Sequence, residues 1–178
     1  MISKTRQLAI GGIFSALSFT LMFLSSFMPL TYLWVMFSGF VIMIIVTETG
    51  RKTAFLAYVS VALLCFILLP NVLIIMEFAL LIGYYPIIKI WLDSINRILV
   101  RWVVKLAIFF ASAVASLFIT VYVLGIPVYF LQSEQTRFFI AIPVAQITIF
   151  AIAYDYFLRQ IHQYYTTKLR PKIFHKKK

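Results

Sequence analysis

The sequence predicts an all-α fold, a polytopic membrane bundle of six transmembrane helices with both termini on the cytoplasmic side. Composition is the first reason: 63% of the 178 residues are hydrophobic and only 12% are charged, against about 25% charged in a soluble domain. Mean hydropathy is +1.02. Apolar runs supply the second reason, since a helix needs roughly 17–25 apolar residues to span and six runs of that kind lie near 8–30, 31–47, 53–69, 71–91, 99–125 and 137–158. Charge is the third. With six spans, every one of the 16 Lys and Arg residues except Arg137 falls on one side, the asymmetry that marks the cytoplasmic face.

Residues 1–158 therefore form a six-helix transmembrane domain and 159–178 a basic cytoplasmic tail. The first span's apolar run exceeds the roughly 7–15 residues of a signal-peptide core and continues into "FMPLTYLW", so it reads as a retained helix. Pro29 ends it, and the second span is barely long enough. Pro70-Asn71 makes a tight connection between the third and fourth spans, which with the first turn predicts two antiparallel hairpins. Between the fourth and fifth, "DSINRILVRWVVK" alternates charged and apolar positions, the pattern of a segment at the membrane interface.

A net charge of +11 would point to a polyanion such as nucleic acid in a soluble protein. Here the basic residues sit at the ends of apolar runs, so the partner is membrane lipid and not nucleic acid. The tail "TTKLRPKIFHKKK" suits anionic lipid or a docking arm for a cytoplasmic partner. The one cysteine, Cys65, excludes an internal disulfide. Both histidines, His162 and His175, lie in the tail, and no H-E-x-x-H, G-x-S-x-G or phosphate-binding loop occurs. No catalysis, cofactor or metal site is expected of this chain.

Ionisable residues inside spans are costly and mark candidate sites. Glu77 is the foremost. If the fourth span enters from the outside at Asn71, Glu77 lies about 9 Å deep, and Gln146, descending from Phe138 on the sixth, about 12 Å deep. Ser116 and Thr120 on the fifth span fall in the same outer half, with Trp34 and Tyr122 as aromatic walls. Glu77, Gln146, Thr120, Ser116, Tyr122 and Trp34 together could line a mostly apolar ligand pocket with a few orienting polar groups. Glu77 alone also reads as a neutral carboxyl bonded to a neighbouring helix.

Gly83 and Pro86 admit two readings. Proline frees the carbonyl four residues earlier, that of Ile82, and beside a glycine this makes a hinge. Alternatively they close the span, with Tyr84 and Tyr85 in the aromatic belt and Lys89 snorkelling to phosphates; the nearness of Lys89 favours this second reading. Asp155 and Arg159 are spaced as an i,i+4 helix pair.

Small residues drive close helix packing in lipid. Ala9, Gly12 and Ala16 share one face of the first span, and Ala107, Ala111 and Ala115 one face of the fifth. One face is expected to pack within the bundle and the other to dock a second membrane protein.

The length, the six spans and the "AIGGIFSAL" face resemble the substrate-binding S component of bacterial energy-coupling factor (ECF) transporters. In that family an A-x-x-x-A pattern on the first helix contacts the coupling subunit; Gly12 and Ala16 are the matching positions, with glycine in place of the usual alanine. The resemblance implies an outward-facing site for a vitamin-class small molecule, a transmembrane coupling subunit powered by cytoplasmic ATPases, and residence in the bacterial cytoplasmic membrane. The lack of an N-terminal histidine cluster disfavours cobalt or nickel. A competing reading is a non-transporting scaffold or assembly protein. A small ion-coupled carrier is a third, disfavoured because neither internal repeats nor paired acids occur.

Overall fold

A computed structural model describes residues 4–119, 122, 125 and 136–169. The chain is all-α: α1 (Lys4–Ser25), α2 (Thr31–Thr49), α3 (Arg51–Leu68), a fourth helix in two halves, α4 (Val72–Glu77) and α5 (Tyr85–Leu92), then α6 (Ile98–Phe118) and α7 (Thr136–Tyr164). Counting the two halves as one, there are six helices among the described residues. Five of them are long and apolar enough to cross a membrane, the fourth as the continuous stretch Val72–Leu92.

Local sequence explains the breaks. Leu30, after Pro29, takes a left-handed conformation at φ 63° and turns the chain into α2. Gly50 alone joins α2 to α3 at φ 91°, a conformation that costs a glycine little and other residues much. The side-chain oxygen of Asn71 accepts from the Ile74 amide at 3.4 Å and caps α4. Pro86 sits in the first turn of α5, where its missing amide hydrogen is no loss.

Helix α2 is the central element, buried over more than half its length. Its neighbours hold it by apolar packing, with Met22, Val35, Cys65, Phe78, Ile82, Phe109, Tyr154 and Leu158 in the main core. Ile42, Ile45 and Val46 form a second cluster with Ala54 and Ala57 of α3. A Ser18–Ser38 hydroxyl pair at 2.7 Å ties α1 to α2 inside this packing, the kind of polar contact that joins helices when lipid gives no hydrophobic drive. Large side chains such as Ile13, Leu56, Ile67 and Leu99 point outward, as a lipid-facing surface requires.

Contacts fix relative directions. From Phe37–Phe157 to Thr47–His162, α2 and α7 advance together and run parallel. Tyr84–Ser112 and Asp93–Lys105 pair in opposite order, so α5 and α6 are antiparallel.

Neither small-residue face packs inside the bundle among the described residues, which corrects the expectation for one of them. Ala9, Gly12 and Ala16 are exposed, as are Ala107 and Ala111, with Ala115 half-buried. The close approach of α1 uses Gly11 instead, where an added Cβ would lie 3.0 Å from the Thr53 methyl carbon; at Gly12 it would meet nothing within 4 Å.

Candidate functional site

The fourth span breaks where its sequence is least regular. Phe78–Ile82 form a π turn closed by the Gly83 amide on the Phe78 carbonyl at 2.7 Å, and the α-helix resumes only at Tyr85. Carbonyls released by such a break need donors in a medium without water. Two tyrosines supply them. Tyr58 of α3 donates to the Ala79 carbonyl at 2.5 Å, and Tyr154 of α7 donates to the Ile82 carbonyl at 2.9 Å. Two glycines make room: an added Cβ at Gly39 would collide with the Tyr154 hydroxyl and sit 2.8 Å from the Ile82 side chain, and one at Gly83 would sit 2.8 Å from the Tyr58 ring. The stretch from Gly83 to Pro86 is thus a junction held inside the bundle and not an end in the aromatic belt; Gly83, Tyr85 and Pro86 are buried.

Glu77 is the last residue of α4, immediately before the π turn, and is half-buried. The polar side chain it interacts with is that of Tyr32, near the start of α2. The other sequence-predicted site residues stand on other elements. Trp34 is half-buried and donates its indole N–H to the Pro29 carbonyl at 3.3 Å. Ser116 is half-buried on α6, and Gln146 is exposed on α7. Tyr122 is 75% exposed, its ring 4.7 Å from that of Phe118. Thr120 lies outside the described residues. Among the described residues no hydrogen bond joins Glu77 to Trp34, Ser116, Tyr122 or Gln146, and the group beside Glu77 is Tyr32, which sequence reasoning does not single out. An apolar groove of about 670 Å³ runs along α6 past Phe110, Val114 and Phe118.

At the other end of the fourth span lies a buried ionic cluster. Lys89 is 1% exposed, Lys105 4% and Asp155 7%. Lys105 reaches Asp155 at 2.8 Å and Asp93 at 2.7 Å, Lys89 pairs with Asp155 and lies 3.5 Å from Asp93, and the Tyr85 hydroxyl donates to Asp155 at 2.7 Å. The expectations that Lys89 snorkels to lipid and that Asp155 pairs with Arg159 are both corrected. A π turn carries one extra residue, which rotates the downstream half of the span by about 100° around its axis, and spacing rules for an unbroken helix cannot anticipate that. A signal was nonetheless present. Asp155 in "AIAYDYFL", Lys89 in "IIKI" and Lys105 in "VVKL" are opposite charges in apolar runs, which are tolerated only when paired.

The polar strip continues past Leu158, where His162 meets the Thr47 hydroxyl at 3.3 Å and Tyr165 donates to Glu48 at 3.3 Å. Burial, helped by the positive charge of Lys89 and opposed by Asp93, lowers the His162 pKa below its ordinary value. Asp93 and Asp155 are taken up by ammonium groups, so the cluster couples α5, α6 and α7.

No family model, curated protein or solved structure matches the chain. Composition and fold establish an all-helical chain with six helices among the described residues, five of them long and apolar enough to span a membrane.

Proposed function

We propose that the chain is a multi-pass protein of the bacterial cytoplasmic membrane that captures a small organic molecule on the outer side, as the substrate-binding S component of an ATP-driven ECF-type importer. The observation carrying this reading is the broken fourth span with Glu77 at its break. Interrupted helices in membrane transporters mark binding sites, irregular backbone at depth being tolerated where it is buried in protein or lines a cavity, and π turns concentrate at functional positions. Glu77, steadied by Tyr32, would orient a cationic or hydrogen-bond-donating group of the ligand, with Trp34, Ser116, Thr120, Tyr122 and Gln146 as further candidates. The Lys and Arg asymmetry supports both termini inside, which puts the Glu77 end of the span outward. The chain itself is assigned no catalysis, and ATP hydrolysis would belong to partner subunits.

The test is mass spectrometry of small molecules released from gently purified protein. A compound retained by the natural chain and lost from folded Glu77→Gln supports capture; identical contents in both variants contradict it. A non-transporting scaffold is the second reading, favoured by the open Ala9, Gly12 and Ala16 face. Under either reading that face would receive a membrane partner.

A further inference from the structure

A cavity of about 190 Å³ opens beside the ionic cluster, lined by Asp93, Arg101, Trp102, Lys105, Asp155 and Arg159. Its charges do not balance. Three cations, Arg101, Lys105 and Arg159, line it with two carboxylates, Asp93 and Asp155; Lys89, outside the lining, pairs with both carboxylates, so the group as a whole carries an excess of two positive charges. The carboxylates are already engaged, since each lysine contacts both. Among the described residues Arg101 and Arg159 have no ion-pair partner. Arg101 is half-buried on α6 and Arg159 exposed on α7, and both line the cavity.

We propose that this cavity binds a phosphate group. Guanidinium forks match phosphate oxygens bidentately, a phosphate monoester carries a charge near −2 at neutral pH, and the indole of Trp102, 5.5 Å from the Lys105 ammonium, offers one more N–H donor. The cavity lies where α5 ends and α6 begins. In a bilayer that is headgroup depth, so a lipid phosphate and a soluble phosphate can both reach it.

The experiment uses the full chain in neutral detergent. One arm compares retention of phosphatidic acid with that of diacylglycerol, which differ by the phosphate alone, by native mass spectrometry. The other compares inorganic phosphate with chloride at equal ionic strength by thermal shift. Preferential retention of phosphatidic acid assigns a lipid source, and a shift with inorganic phosphate a soluble one. Either should weaken about tenfold in Arg101→Gln/Arg159→Gln and stay unchanged in Arg51→Gln/Lys52→Gln, which removes the same charge from exposed positions at the same end. Circular dichroism and gel filtration check folding; should the double variant fail, the exposed Arg159→Gln alone is expected to weaken binding about threefold. Binding in neither arm, or equal loss in the Arg51/Lys52 control, overturns the proposal.

Discussion

Tyr154 donates its hydroxyl hydrogen to the Ile82 carbonyl at 2.9 Å, across a gap that exists because residue 39 is glycine. Three helices meet in that contact, and it holds the broken fourth span in register. Removing the donor leaves a buried carbonyl unpaired, which costs about 1–3 kcal/mol. Tyr154→Phe should therefore lower the thermal unfolding temperature in detergent with helix content preserved, and an unchanged midpoint would show that the carbonyl finds another donor.

Two glycines should respond to enlargement in opposite ways. Gly39→Ala forces its methyl against Tyr154 and Ile82, an overpacking worth about 1–3 kcal/mol of destabilisation. At Gly12 an added Cβ meets nothing within 4 Å and the position is exposed, so for Gly12→Leu the isolated chain should keep its stability while recovery of a membrane partner falls. Destabilisation by Gly12→Leu would mean that this face is part of the bundle.

The lowered His162 pKa fixes the sign of a pH effect. The unfolded chain takes up this proton near the ordinary value of 6.5, whereas the folded chain resists it. The contribution of neutral His162 is present above that value and is lost as pH falls from 6.5 through the lower folded pKa. Unfolding temperatures followed between about pH 8 and 5 should drop less for His162→Gln than for the natural chain; parallel profiles would contradict the assignment.

Much of the fold was legible because lipid imposes one rule, that backbone groups be satisfied within helices. Apolar run length then located the helices, and Pro29, Gly50 and Asn71 their ends. Even the carbonyl released by Pro86 was readable, though Tyr154, its donor, lies 72 positions away along the chain and no local pattern links them. The site was less legible. Depth arguments group residues by height along a span but carry no azimuth, so they put Gln146 in a layer with Glu77 without fixing which way it faces, and Tyr32 went unnoticed. Asp155 was misread for the same reason: its nearest basic residue in sequence is Arg159, but the partners its face meets are Lys89 and Lys105.

Whether the broken span is locked to its neighbours by charge is most directly measured by a double-mutant cycle of Lys89→Met and Asp155→Asn in thermal or denaturant unfolding. Asp155→Asn leaves two buried ammonium groups sharing Asp93 alone, a loss of about 3 kcal/mol, whereas Lys89→Met leaves Asp155 with Lys105 and should cost less. The double variant is predicted to lose less than the sum of the two, by about 0.5–3 kcal/mol. Strictly additive losses, or an Asp155→Asn chain as stable as the natural one, would contradict a buried network joining α5, α6 and α7.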